Sequence, residues 1–399
     1  MKSTSFSLVE ALKKITSGQD LAFEETYEVA MALSAGTVDP VLAGGLLSAL
    51  ATKGETSLEL GGFIKVMRER MLAVPIDLAV LNGARKTLQP AHEKLQFSKG
   101  TAPVLVDTCG TGGDGKGTFN VSTLTALVLA GAGVCVAKHG NRSVTSQCGS
   151  ADLFEALGVN INLSAKQAQT VLEKTGLVFL FARQFHPSMK YIAPVRKILN
   201  IRTVFNVLGP LLNPMPVTHQ LIGVASESLM TPLAQALVYT PLKGALLVYG
   251  LDGLDEITLS EKTRVIEYRS YDATDNGAGR DGITGNSTKP SWNEYILDPR
   301  DYGLDFVDSK LLLGGVLAEN KDIALQLLRV GSTLKTASPA LRAKCNVVAL
   351  NAAMLMKLAG IVSTVEDGIN LATDVIFSGQ ADKVYRQLVQ VTDEVITTA

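Results

Sequence analysis

Cysteine, histidine and charge of one sign are all scarce in this sequence, and each shortage removes a class of function. Four cysteines in 399 residues, at Cys109, Cys135, Cys148 and Cys345, form no C-x-x-C pair, and no histidine completes a zinc-site spacing with them. That argues against a disulfide framework or a structural metal and suits a reducing compartment. Cys109 reads as a small residue in a tight turn rather than a nucleophile. The 37 basic and 38 acidic side chains leave a net charge of −1, without the basic excess of a nucleic-acid or acidic-membrane binder. Unbroken apolar runs never reach the length of a membrane span. The start, Met1 to Ser7, has no apolar signal core, and Glu10, Asp20, Glu24 and Glu25 follow soon after. A cytoplasmic protein with no nucleic-acid or membrane partner is therefore expected.

What is present is an ordinary globular composition, 46% apolar and 19% charged, in a chain long enough for one large and one small domain. Residues 1–75 read as a small helical domain: apolar stripes such as Leu42, Leu46, Leu47 and Leu50, or Leu60, Phe63, Ile64 and Met67, recur at helical spacing, with Gly18, Gly36 and Gly54 between them. Residues 76–103, with Pro90 and Pro103, read as a linker. From 104 to 399, strand-like runs alternate with helical periods, which predicts an α/β domain with a mostly parallel sheet. Strands are expected near Val104–Val106, Val134–Ala137, Val178–Phe181, Leu221–Ala225, Ala245–Tyr249 and Val265–Tyr268. Helices are expected at 165–175, 189–199 and 365–377, among others. Residues 272–290 are rich in Gly, Asn, Asp, Thr and Ser and read as a surface insert.

The most informative stretch follows the first strand. Asp107 to Thr118 carries Gly110, Gly112, Gly113, Gly115 and Gly117, five glycines in eight positions. Such a turn admits a ligand close to the backbone and lets successive N–H groups converge on an anion. Phe119 to Thr123 then opens an apolar helix whose first N–H groups face the same place. Gly110-x-Gly112-x-x-Gly115 fits a dinucleotide fingerprint, but the next strand ends in Lys138-His139-Gly140-Asn141-Arg142 where that reading needs an acidic residue. Gly110 to Lys116 fits the start of a P-loop, but Gly117 stands where a magnesium-binding Ser or Thr is required. The cations point instead to a second phosphate site running from Lys138 to Ser146, with Ser150 opening the next helix. Asp255 and Glu256, adjacent at a strand end, call for a cation between them, and Mg²⁺ suits carboxylates together with phosphate oxygens.

Gly110-Thr-Gly-Gly-Asp114, Asn120-Val-Ser-Thr123, Lys138-His-Gly-Asn-Arg142 and Gly149 to Gly158 together resemble the successive signatures of the anthranilate phosphoribosyltransferase family of tryptophan biosynthesis. The resemblance implies a nucleoside phosphorylase/phosphoribosyltransferase fold, with the helical domain joined by helices from about 188–206 and serving as a homodimer contact. It also implies transfer of phosphoribose from 5-phosphoribosyl 1-pyrophosphate to anthranilate. On this basis Gly110, Gly113, Asp114, Thr118, Asn120, Val121, Ser122 and Thr123 would hold the diphosphorylated sugar from one side. Lys138, His139, Gly140, Asn141, Arg142, Ser143, Val144, Thr145, Ser146 and Ser150 would hold it from the other. Gly110, Asn141 and Arg196 would meet anthranilate, and Ser122, Asp255 and Glu256 would bind Mg²⁺. No obligatory acid or base is implied; Lys138 and Ser122 would act electrostatically. Tyr249 and Asn200 depart from the family's usual His and Gly. Two other readings stay open at this point: a pyrimidine nucleoside phosphorylase of similar architecture, for which the acidic pair has no evident use, and a non-catalytic nucleotide- or nucleic-acid-binding paralogue.

Overall fold

The computed structural model describes residues 7–77, 80, 81, 84, 104–143, 147–270 and 289–397. Most of the expected linker, the insert apart from its last two residues, and Val144, Thr145 and Ser146 lie outside them.

The chain opens with α1 (Leu8–Thr16), α2 (Phe23–Ala35), α3 (Pro40–Lys53) and α4 (Ser57–Arg70). Local chemistry sets their ends. Asp39 caps α3 by accepting from the Val41 N–H at 2.8 Å, with Pro40 at the first helical position. At α4, Thr56 and Glu59 exchange bonds: the Thr56 N–H donates to Glu59 at 2.8 Å and the Glu59 N–H to the Thr56 hydroxyl at 3.3 Å. Gly36 and Gly54 close α2 and α3 with φ of 72° and 86°. Leu46, Leu47, Leu50, Phe63 and Ile64 are fully buried where these helices meet.

A seven-stranded sheet follows: β1 (Leu105–Gly110), β2 (Cys135–Gly140), β3 (Leu177–Phe181), β4 (His219–Gly223), β5 (Gly244–Gly250), β6 (Thr263–Arg269) and β7 (Ser291–Leu297). Their order is β3-β2-β1-β4-β5-β6-β7. The first five are parallel, while β6 and β7 add antiparallel at one edge. The intervening helices are α5 (Val121–Gly131), α6 (Ser150–Ala156), α7 (Ala165–Thr175), α8 (Ala182–Phe185), α9 (Met189–Leu199), α10 (Val204–Val207) and α11 (Met230–Ala236). The chain ends with α12 (Leu317–Arg329), α13 (Pro339–Leu358), α14 (Val365–Phe377) and α15 (Gln380–Thr397). The sheet is covered by α5, α13 and α15, the last two each packed on α5, while α11 lies over β5 and β6 and also touches α4. Helix α9 packs on α2 and α3 although it follows β3 in the chain. None of the helices among the described residues is long and apolar enough to cross a membrane.

Several boundaries differ from the sequence expectations for physical reasons. Strand β1 continues through Asp107 and Thr108, and β2 through Lys138 and His139, residues expected to lie in turns. All four are buried, and the polar groups find partners in the fold. Helix α9 runs from Met189 to Leu199 as expected and carries Pro194 inside it. Strand β7 is an addition to the expected set: it lies at the sheet edge, and most of its side chains are exposed, so it lacks a buried apolar run.

Candidate active site

Strand order places a cleft at the carboxyl ends of β1 and β4. The chain leaves β1 for β2 on one side and returns to β4 on the other, a switch point at which no crossover covers the strand ends. Strands β1, β2, β4 and β5 all finish on glycine, at Gly110, Gly140, Gly223 and Gly250. The first and third face each other across the ladder. A side chain at Gly110 would sit 2.6 Å from the Asp255 carboxylate, and one at Gly223 would land on the Asp255 carbonyl oxygen. Bare backbone here lets the acidic turn after β5 close over the strand ends.

The glycine loop reaches the same place. Gly112, Gly113, Gly115 and Gly117 have φ of 65°, 82°, 69° and 68°, the left-handed conformation that turns N–H groups inward. The Gly112 N–H donates to Asp255 Oδ2 at 3.0 Å, and the Ser122 N–H in the first turn of α5 donates to Glu256 Oε1 at 3.2 Å. Glycine loop, helix N-terminus and acidic turn thus form one unit from three stretches of chain. Burial raises the affinity of both carboxyls for protons. The charge of Asp114 raises Asp255 further, and the charge of Asp255 raises Glu256. The Asp114 Oδ2 atom is itself buried with no hydrogen-bond partner.

Lys138 answers part of this charge. Only 1% exposed, its ammonium donates to the Thr108 carbonyl at 2.6 Å and to the Ser122 hydroxyl at 3.2 Å, and its charge favours the ionised form of Glu256. Beneath it, Asp107 is held by the Asn213 amide at 2.9 Å, the Gln220 amide at 3.1 Å and the His139 N–H at 3.2 Å. Burial nonetheless lifts its pKa to about 6. The ring of His139 is fixed by the Gly209 carbonyl, 3.1 Å from Nδ1. Desolvation, followed by the charge of His186, depresses its pKa to about 3, so the imidazole is neutral at physiological pH. Its Nε2 is buried without a partner, and the His186 ring meets it edge-on at 5.3 Å.

The second loop is organised by one carboxylate. Asp152 in α6 accepts from the Ser143 N–H at 3.1 Å, the Gly149 N–H at 3.0 Å and the Arg142 guanidinium at 3.0 Å. Arg142 also pairs with Glu155, so its charge is committed to α6. Asn120 ties the two loops together, donating to the Cys148 carbonyl at 3.1 Å while its Oδ1 is buried and unpartnered. Asn141 is exposed at the loop's start, and its carbonyl accepts from the Ala151 N–H at 3.3 Å and the Ser150 hydroxyl at 3.5 Å. Val121 and Thr123 are buried in the first turn of α5, while Thr118 pairs with Leu313 in an antiparallel bridge.

Arg196 lies on α9, where it donates to Asn206 at 3.1 Å and covers the ring of Phe205 at 5.8 Å. Burial, reinforced by the negative charge of Asp107, pushes the Cys109 thiol up to about 12, which favours the protonated form.

The donor set suits a hard divalent cation. Asp255 and Glu256 are neighbouring carboxylates whose proton affinity is raised by burial and then by acidic neighbours, and the backbone N–H of Ser122 meets Glu256 while its hydroxyl accepts from Lys138. Among the described residues, no group of three or more His, Cys, Asp or Glu side chains gathers to hold a metal by itself. A cation here would need oxygen ligands from outside the chain as well. Gly223 and Gln220 lie outside the expected site residues: the signal for Gly223 was a glycine ending the apolar strand Leu221-Ile222, and Gln220 carried none.

The chain matches the glycosyl transferase family helical bundle domain over residues 9–71 and the family's a/b domain over residues 102–382. Its relatives include anthranilate phosphoribosyltransferases of Alkaliphilus metalliredigens and Methanobrevibacter smithii. Each is 38% identical, over 96% of this chain and 98% and 99% of the respective relative. The crystal structure of anthranilate phosphoribosyltransferase from Thermus thermophilus is 37% identical, with a TM-score of 0.76 over 96% of this chain and 99% of that one. The Saccharomyces cerevisiae enzyme in complex with PRPP and Mg shares the fold, with a TM-score of 0.77 at 23% identity over 98% of this chain and 99% of that one. With both domains matched, and near-full-length relatives well above the identity at which a fold alone would be shared, the chain belongs to the anthranilate phosphoribosyltransferase family.

Proposed function

We propose that this protein transfers the phosphoribosyl group of 5-phosphoribosyl 1-pyrophosphate to the amino group of anthranilate, with release of pyrophosphate, as a cytoplasmic step of tryptophan biosynthesis. One observation carries the reading: the glycine loop and the acidic turn meet at the switch point, with the Gly112 and Ser122 N–H groups 3.0 Å and 3.2 Å from Asp255 and Glu256. A phosphorylase using inorganic phosphate has no need of that carboxylate pair. The diphosphate would lie along Gly110, Gly113, Asp114 and Thr118 and the first turn of α5, with Asn141 and Ser150 of the second loop on the other side. Mg²⁺ held by Asp255, Glu256 and Ser122 would neutralise diphosphate charge and so improve the leaving group. Lys138 and the loop N–H groups favour the same build-up of negative charge. An aniline nitrogen is uncharged at pH 7 and nucleophilic, so it needs placement more than deprotonation. Neutral His139, locked by Gly209, fits an orienting role.

Purified protein given the diphosphorylated sugar, Mg²⁺ and anthranilate is expected to consume anthranilate fluorescence. Phosphorolysis of uridine or thymidine without that loss would overturn the reading. Arg196 is the proposed partner of the anthranilate carboxylate, because a guanidinium fork matches a planar carboxylate. Arg196→Ala should raise the KM for anthranilate about tenfold or more, with the KM for the sugar diphosphate unchanged. An unchanged anthranilate KM would place the carboxylate elsewhere.

A homodimer through the helical domain is supported by apolar side chains left in the open on α3 and α9. Val41 and Ile198 are each 84% exposed, more than scattered surface residues need be. Light scattering should find the wild type dimeric and Val41→Glu with Ile198→Glu monomeric; a dimer in both would locate the contact elsewhere.

A further inference from the structure

Helix α13 carries two buried polar residues, Lys344 at 6% exposure and Asn351 at 1%, among its buried apolar side chains. They are seven residues apart, two turns, and so share one face about 10 Å from end to end. Lys344 sends its hydrogen bond into a loop of the cleft, and Asn351 does the same while also donating to the Val347 carbonyl one turn back in its own helix at 2.8 Å. Asn351 pairs with Ile257 as a neighbouring strand would: its amide donates to the Ile257 carbonyl at 2.8 Å and its oxygen accepts from the Ile257 N–H at 3.2 Å. Ile257 directly follows Glu256, so this pair fixes the exit of the acidic turn.

Lys344 acts two turns earlier on the other half of the cleft. Its ammonium donates to the Leu311 carbonyl at 2.5 Å and lies 5.5 Å from the centre of the Phe119 ring. The segment it holds is strapped along the end of the glycine loop. The Phe119 N–H donates to Leu312 at 3.3 Å, and the Gly314 N–H donates to Gly117 at 2.9 Å. Gly314 has no room for a side chain, since one would sit 2.8 Å from the Phe119 backbone. The strap is closed on its far side by Asn320, whose amide donates to the Gly315 carbonyl at 2.6 Å.

We propose that α13 is a gauge for the active site, in which Asn351 sets the acidic turn and Lys344 sets the glycine loop, so that a rigid helix fixes the separation of the two. Both are positioning residues; neither touches substrate. The inference rests on the reading above that the acidic turn binds Mg²⁺ and the glycine loop binds diphosphate. It predicts that the two residues fail separately, each taking with it only the half it holds.

The full-length protein with Asn351→Ala should need about fivefold or more Mg²⁺ for half-maximal velocity, and calorimetry should show weaker Mg²⁺-dependent binding of pyrophosphate, with the anthranilate KM unchanged. Lys344→Met should raise the KM for the sugar diphosphate several-fold at an unchanged Mg²⁺ requirement, and Lys344→Arg should recover most of it, since Arg can still donate to Leu311. Asn351→Ser, smaller but polar, gives the same test if the alanine variant does not fold. A folded Asn351→Ala protein with wild-type Mg²⁺ dependence and pyrophosphate binding, or a folded Lys344→Met protein with a wild-type KM for the sugar diphosphate, would overturn the proposal. So would variants in which every constant shifts together with a fall in melting temperature, the mark of general damage. A wild type that never consumes anthranilate would instead remove the underlying reading, so the two failures are told apart.

Discussion

Replacing Asp255 by Asn and Glu256 by Gln together is expected to lower kcat/KM by about a thousandfold or more, while raising the melting temperature of the metal-free protein. The two effects have one origin. Each carboxyl is surrounded by protein and faces another, and each carries a pKa raised above its ordinary value, burial first and the neighbouring charge second. A carboxyl whose folded pKa is raised is stabilising only while protonated, so its ionisation works against the fold increasingly as pH rises past the ordinary carboxylate range. Raising the pH drives both towards the charged form. Both retain some contact with solvent, so screening reduces the penalty to on the order of 2 kcal/mol for the pair, a few degrees in melting temperature. The side-chain amide oxygens of the double variant could still accept from the Gly112 and Ser122 N–H groups, without the charge. The gain should therefore be largest above neutral pH, shrink towards pH 4, and disappear when the wild type is saturated with Mg²⁺ and pyrophosphate. Differential scanning measurements with and without those ligands check it. A metal-free double variant less stable than wild type at pH 8 would mean that the carboxylates brace the turn rather than strain it.

The parts of this site that could be read from the sequence are those whose chemistry is local. Five glycines in eight positions announce a turn with inward N–H groups whatever surrounds them, and four of the five do adopt positive φ. Helices at 165–175, 189–199 and 365–377 fall where apolar spacing places them, because one face of each is buried against a neighbour. Strand ends are misplaced where polar residues are buried. Asp107 and Lys138 look like turn residues until Asn213 and Gln220, more than a hundred positions beyond Asp107, are brought against the carboxylate. Strand β7 gives no signal because an exposed edge has no buried side to pattern. The ion pairs of Arg142 are not legible in its basic and polar sequence neighbours. Its ion pairs with Asp152 and Glu155 lie ten and thirteen positions along and follow from the way α6 turns back on the loop. Asn351 is invisible for the same reason as Gln220: a buried amide acquires a role only through the backbone it meets.

The other large effect is expected from a single methyl group. Gly223→Ala should reduce kcat/KM by about a hundredfold or more, because the new carbon would coincide with the Asp255 carbonyl oxygen and one of them must give way. Strand β4 cannot move: it is hydrogen-bonded in parallel to β1 on one side and β5 on the other, and its terminal carbonyl accepts from the Thr111 N–H at 2.8 Å. The acidic turn must therefore lift. Its far end is anchored at Ile257 by Asn351, so the displacement falls on Asp255 and Glu256 and on their contacts to Gly112 and Ser122. The loss should appear as a raised Mg²⁺ requirement together with reduced turnover, and only a modest part of it should come from unfolding, since the sheet beneath is unchanged. Gly44→Ala supplies the control. That glycine lies inside α3, where an added methyl meets only Leu199 and Val195 at 3.7 Å and 3.8 Å; removing backbone freedom there should stabilise by roughly 0.5–1 kcal/mol and leave kinetics unaltered. A Gly223→Ala protein with wild-type Mg²⁺ dependence would show that the turn can be carried at another height, and that the close approach of Asp255 to the strand ends is not what the chemistry requires.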